Sequence, residues 1–238
     1  STKDIQGFKA KMLTKGKKVV KLVEGEDCKK VKETTITGLS PQTVKHMLRL
    51  MRQMFDHAID WNYLRTNPAK KVPNPKIAKK EMDHLTPEEA RLFLDKLSQR
   101  WYAFHLTAIV TGMRIGELIA MRWDNLDWNR EQYSVKETWL RPREGRKAAF
   151  DAPKTESSIA PVDLTPTCLD ALRAHRQAQA AEKLEAGEEY QDQGLIFATV
   201  KGTPLDDSHI VKRTFQPTLT EAGIRIIRFH DLRHTCAS

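Results

Sequence analysis

Two short runs in this chain hold residue types that could work on a phosphodiester. One is His230-Asp231-Leu232-Arg233-His234-Thr235; the other is Thr111-Gly112-Met113-Arg114-Ile115-Gly116-Glu117-Leu118. In a helix, His230, Arg233 and His234 share one face through their i, i+3, i+4 spacing. Arg114 follows the Thr111-Gly112 break at the start of another helix, with Glu117 three residues on. A phosphoryl group in transfer carries growing charge on its non-bridging oxygens. Two guanidiniums can grip those oxygens with forked, charge-assisted hydrogen bonds. An imidazole beside them can move a proton near neutral pH. A third run, Pro153-Lys154-Thr155, lies between strand-like stretches. A loop lysine of lowered pKa can protonate a leaving oxygen, and Lys147 is a nearby competitor for that role.

Each piece has a plainer reading. Arg114 and Glu117 at i, i+3 are also an ordinary helix-surface ion pair, worth about 0.3 kcal/mol. Histidines at i and i+4 can hold zinc, but Arg233 puts a permanent cation on the same face. Asp231 also stands where a zinc hydrolase has its glutamate. No metal and no cofactor is therefore assigned. Lys154 is equally an exposed loop residue.

The elements that must position these residues are mostly helical. Thr86-Pro87-Glu88-Glu89 is a capping box, opening a helix to about Ser98. A second apolar helix spans about 101–111, Gly112 breaks it, and a third runs from Arg114 to Arg122. Short strands are expected at 126–128, 132–139 and 158–164. Thr165-Pro166 starts a long amphipathic helix to about Leu184, Leu195–Phe197 reads as a strand, and 205–222 as a helix broken at Gln216-Pro217. Upstream, Ser40-Pro41 opens a helix with apolar residues at helical spacing from Val44 to Ile59. Before it, 4–13 reads as a short helix, and 19–35 as a hairpin or an insert. Residues 68–80, with three prolines and five lysines, read as a linker.

Charge divides the chain at that run. Residues 1–80 hold 19 Lys+Arg against 7 Asp+Glu, a net of +12, while 81–238 hold 21 against 24, a net of −3. A compact basic segment beside a nearly neutral one suits a module that binds a polyanion, although a lysine-rich solvated surface has the same composition. Lys45, Arg49, Arg52, Lys70 and Lys71 are the candidate DNA-contacting residues. Cys28, Cys168 and Cys236 are scattered and odd in number, which fits a reducing cytoplasm. No run approaches the roughly 20 apolar residues of a membrane span.

TGMRIGEL at 111–118, PKT at 153–155 and HDLRHT at 230–235 stand in the order and approximate spacing of the tyrosine recombinases, the phage-integrase family. The likeness runs from about residue 37 to the end, and Ile59–Pro68 is similar to the end of that family's helical core-binding domain. The resemblance implies a mainly α fold with a small antiparallel β-sheet, arranged as a two-domain DNA clamp. A basic core-type DNA-binding domain would span 1–76, a linker 77–81, and a C-terminally truncated catalytic domain 82–238. The implied activity is cutting and rejoining double-stranded DNA through a 3′-phosphotyrosyl intermediate, which conserves the phosphodiester energy. The implied protein is phage-encoded or nucleoid-associated in a bacterial cytoplasm and assembles as a tetramer on DNA. By motif position, Arg114 and Arg233 would hold the scissile phosphate, Lys154 would act as general acid toward the 5′-oxygen, His230 would assist proton transfer from the tyrosine, and Glu117 would support Arg114. His234 would be structural. The family's nucleophilic tyrosine follows the His230 motif. Tyr63, Tyr102, Tyr133 and Tyr190 all precede it, so the nucleophile is expected beyond Ser238 and the chain as given is expected to bind DNA without cleaving it. A type IB topoisomerase and a non-catalytic, recombinase-derived DNA-binding regulator are the alternatives.

The uneven charge has a measurable consequence. With 6–10 phosphate contacts, affinity for duplex DNA is expected to fall by about 10³–10⁵ between 50 and 200 mM salt. Residues 1–80 should carry much of that slope. Binding titrations at graded salt check this, and a flat response would contradict it.

Overall fold

A computed structural model describes residues 1–24, 30–78, 82–142, 147–152 and 161–237. The chain divides into two compact units, Ser1–Lys80 and Glu81–Ser238. Both are mainly helical, with small antiparallel sheets.

The first unit contains α1 (Thr2–Lys15), the antiparallel hairpin β1 (Lys17–Glu24) and β2 (Lys30–Thr37), and α2 (Pro41–Asp60). Two glycines allow the hairpin to sit close to α1. A Cβ on Gly16 would lie 2.5 Å from the Met12 carbonyl oxygen, and one on Gly38 would overlap the carbonyl of Leu13. Ser40 caps α2 by accepting from the Thr43 N–H, and Pro41 occupies the first turn, where no N–H is needed. Ile5, Val44, Leu48, Ala69 and Val72 form the core, flanked by Met51 and Phe55. Ala69 and Val72 belong to the run read as a linker, so its first part is folded instead. Asn67 explains why: its side-chain amide donates to the Arg52 carbonyl, and its oxygen accepts from the Ala69 N–H, holding the turn against α2.

The second unit is built around α4 (Gln99–Thr111), whose residues Ala103 to Ala108 are all buried. α3 (Pro87–Asp95), α5 (Ile115–Ile119), α6 (Pro166–Ala186) and α9 (Leu232–Ala237) pack against it. Thr86 and Glu89 make the expected reciprocal cap of α3. The expected 132–139 strand is two strands, because the chain changes sheet within it. β3 (Leu126–Asp127), β4 (Gln132–Ser134) and β7 (Pro161–Asp163) form one antiparallel sheet, and β5 (Thr138–Leu140) pairs with β6 (Ala149–Asp151) in another. Leu195 and Ala198 make single bridges rather than a strand. Pro217 does not break the helix around it. α7 (Asp207–His209) and α8 (Gln216–Glu221) are joined by a π-helical stretch, Ile210–Phe215. The wider turn makes room for a ring that clashes with an α-helical carbonyl and lacks an N–H.

Within this core, His105 is fully buried among Phe93, Phe104, Phe215 and Phe229. Its Nδ1 donates to the Trp101 carbonyl, leaving Nε2 buried without a partner among the described residues. Burial lowers its pKa to about 4, against an ordinary 6.5. The unfolded chain therefore binds the proton first as pH falls below about 6.5, and stability drops from there toward pH 4. This residue alone is expected to make the fold about 2 kcal/mol less stable at pH 5 than at pH 7. Urea unfolding at the two pH values should show His105→Phe with a correspondingly smaller difference.

Candidate active site

The site begins where α4 ends. Gly112 closes the helix in the left-handed region, at φ 59° and ψ 20°, and its N–H donates to Ala108. Glycine adopts this conformation without steric cost, and here the space also demands it. A Cβ would lie 3.2 Å from Cβ of Cys236 and 3.4 Å from Cγ of Arg233. The freed carbonyl of Gly112 accepts from Arg233 Nη1 at 2.8 Å. This contact joins the two motifs across 121 positions of sequence.

Arg114 is the N-cap of α5, with extended backbone at φ −70° and ψ 148°. Its N–H donates to Glu117 Oε2 at 2.9 Å, and its Nη1 donates to Oε1 at 2.7 Å. One carboxylate thus satisfies an orphan donor at the helix start and also orients the guanidinium. The Glu117 side chain is 8% exposed while that of Arg114 is 53% exposed. The plain reading, an exposed pair on a helix surface, does not describe this asymmetric arrangement. Gly116 lets β5 press against α5, since a Cβ there would lie 2.8 Å from the Trp139 carbonyl oxygen.

His230 lies in a 3₁₀ turn, Phe229–Asp231, that runs into α9, so Arg233 follows it by three residues across the junction. Both side chains belong to exposed residues, and the His230 and His234 rings meet edge-on at 6.1 Å. Asp231 points inward and takes the Arg228 N–H and guanidinium. Thr235 Oγ1 accepts from the Leu85 N–H at 3.0 Å, tying α9 to the entry of α3. Among the described residues no group of three His, Cys, Asp or Glu is placed to hold a metal ion. Arg114, paired with Glu117, thus follows the end of α4 by two residues, Arg233 is bonded to that end, and His230 precedes Arg233 by three residues. Lys154 lies outside the described residues. Lys147 is exposed just before β6.

In the first unit, Lys45 and Arg49 are exposed one turn apart on α2, and Lys70 and Lys71 are exposed in the following loop. Lys70 lies 3.4 Å from Asp56. Arg52 departs from the expectation of an outward DNA-facing residue. Its guanidinium donates to the carbonyls of Ala69 and Val72 and to Asn74 Oδ1, so it holds the loop on α2.

Residues 77–238 match the family model described as the phage integrase family. The chain belongs to the phage integrase family. Among relatives, a tyrosine recombinase XerC-like protein of Caldanaerobacter subterraneus subsp. tengcongensis is 32% identical over 219 residues, covering 84% of this chain and 56% of its own. The ICEBs1 integrase of Bacillus subtilis is 29% identical over 204 residues, covering 84% of this chain and 54% of its own. The chain therefore spans about half the length of the curated relatives it matches. Its fold resembles the Tn1549 transposon integrase in complex with transposon right end DNA, with a TM-score of 0.75 at 18% identity over 99% of this chain and 71% of that one. It also resembles a lambda integrase dimer bound to a COC′ core site, with a TM-score of 0.52 at 17% identity over 83% of this chain and 66% of that one. Among the described residues no helix is long and apolar enough to cross a membrane.

Three contributors escaped the sequence reading: Asp231, weighed there only as a substitute for a zinc-hydrolase glutamate; Arg228, its partner; and Thr235. An acid three residues after an arginine marks both helix starts, which is the signal that could have found the first two. The burial of Glu117 predicts an asymmetry in stability. Glu117→Ala removes the buried carboxylate that accepts from the Arg114 N–H and guanidinium, and is expected to cost about 1–3 kcal/mol in urea unfolding. Asp170→Ala, which removes an exposed i, i+3 pair with Arg173, should cost less than about 0.5 kcal/mol. Equal costs would show that Glu117 is only a surface partner.

Proposed function

We propose that this chain carries the DNA-binding and phosphate-gripping parts of a site-specific recombinase, which cuts and rejoins duplex DNA through a 3′-phosphotyrosyl intermediate. The observation that carries the reading is the Gly112 junction. There Arg233 Nη1 donates to the carbonyl of Gly112, which lies two residues before Arg114 at the start of α5. His230 lies just ahead of Arg233. Membership of the phage integrase family and relatives named as recombinases and integrases support it.

In this reading the tyrosine hydroxyl oxygen attacks the scissile phosphorus and the bond to the 5′-oxygen breaks. His230 assists removal of the tyrosine proton, and Lys154 gives a proton to the departing 5′-oxygen. Arg114 and Arg233 stabilise the charge that grows on the non-bridging oxygens. A 5′-hydroxyl of a second strand then attacks the phosphotyrosine and releases the tyrosine, so no external energy source is needed. The nucleophile is a tyrosine that follows the His230–Thr235 motif, a position that Tyr63, Tyr102, Tyr133 and Tyr190 do not have.

The two units divide the labour as a clamp on duplex DNA. The first, about 1–76, presents Lys45, Arg49, Lys70 and Lys71 to phosphates, and the second, about 82–238, carries the chemistry. Phosphate contacts supply affinity, while groove contacts choose the site. Strand exchange needs paired active sites, which fits self-association into a tetramer on DNA.

In the whole protein, Arg114→Ala and Arg233→Ala are each expected to slow cleavage about 10²–10³-fold while largely sparing DNA binding. Lys154→Ala should be separable from them. A substrate with a 5′-bridging phosphorothioate has a leaving group that needs no proton, so it should restore cleavage to Lys154→Ala and not to Arg114→Ala. Covalent-complex formation on nicked trapping substrates measures both. Rescue of Lys147→Ala instead would move the general acid to that residue.

A further inference from the structure

Asp231 sits between His230 and Arg233 in chain direction, yet the proposed chemistry gives it nothing to do. Its residue is 2% exposed, whereas His230 and Arg233 are exposed. Burying a carboxylate is costly unless it is paired and hydrogen-bonded, so a buried acid in an exposed motif calls for a reason. Its Oδ2 accepts from the Arg228 N–H at 2.8 Å, and both oxygens lie 3.1 Å from Arg228 Nε. Oδ1 also accepts from Nη2 at 2.5 Å. These bonds hold the carboxyl below the usual carboxylate range, against the opposing effect of burial.

The bonds close the turn Phe229–Asp231, in which His230 is the middle residue. Arg233 and α9 have tethers of their own: Arg233 donates to the Gly112 carbonyl, and Thr235 accepts from Leu85. The His230 ring meets the ring of His234, a side chain of the same motif, edge-on. His230 projects from the turn that these bonds close. The same construction appears at Arg114, where buried Glu117 takes both the backbone N–H and the guanidinium of the residue three before it.

We propose that Asp231 is a positioning residue that acts through His230, its buried carboxylate fixing the turn from which the imidazole reaches the reacting atoms. The inference rests on the recombinase reading. Arg228 is part of the device, since its guanidinium closes the ring of hydrogen bonds.

The test is a double-mutant cycle in the whole protein on a nicked duplex carrying its site, reading single-turnover cleavage, DNA Kd and thermal unfolding. Asp231→Ala is expected to slow cleavage about 10- to 100-fold, the scale of a misplaced reacting group, with Kd within about three-fold of wild type. In a His230→Ala background the same change should cost less than about three-fold, because the group it positions is gone. Asp231→Asn keeps an acceptor for the Arg228 N–H, should fold where the alanine variant does not, and should fall between wild type and Asp231→Ala. Equal losses in both backgrounds, or a loss that follows Kd or the unfolding temperature, would overturn the inference and leave Asp231 as a helix cap. If the wild type itself forms no covalent complex, the recombinase reading fails first, and the inference with it.

Discussion

The hydrogen bond from Arg233 to the Gly112 carbonyl exists because α4 ends in a left-handed turn. That turn exposes a carbonyl which a continuing helix would have used internally. It also clears the space that α9 needs, since any side chain at 112 would meet Arg233 and Cys236. α4 is itself held by the core that surrounds it, so the junction inherits its position from a helix with six successive buried residues. Three of the proposed site residues are placed relative to this point: Arg114 two residues on, Arg233 bonded to it, and His230 three residues before Arg233.

Electrostatics are sorted by depth around the junction. Glu117 and Asp231 are buried, and the arginine and histidine side chains are outside. Each acid satisfies the first N–H of a helical turn, which answers two problems together. The orphan donor finds an acceptor, and the desolvated carboxylate finds strong donors. Cations lie outward and their counter-charges inward, so the surface that remains suits an anion.

The first unit uses the same residue types in opposite ways. Arg49 and Arg52 are three apart on α2, and composition treats them alike. Arg49 is exposed, while Arg52 is bonded to the loop that carries Ala69 and Val72 into the core. A guanidinium can serve a phosphate or three backbone and side-chain oxygens with the same fork of N–H groups. Which one it serves depends on where the following loop goes, and that is set by Asn67 and two apolar residues rather than by charge.

Local rules made much of this protein legible in its sequence. The caps at Ser40, Thr86 and Thr165 fall where a hydroxyl precedes a proline, because that pairing acts within four residues. The break at Gly112 and the helical stretches on either side were readable for the same reason, and the order of the three motifs pointed to the family. The split of 132–139 into two strands and the folding of 67–74 were not readable, since each depends on partners outside the segment itself. So does the site itself. Sequence placed Arg114 near Glu117, but only the packing of α9 on α4 brought Arg233 to Gly112, and only burial separated the acids from the cations. Hydrogen bonds within a turn are written in adjacent residues; desolvation and the meeting of distant helices come into being only when the core closes.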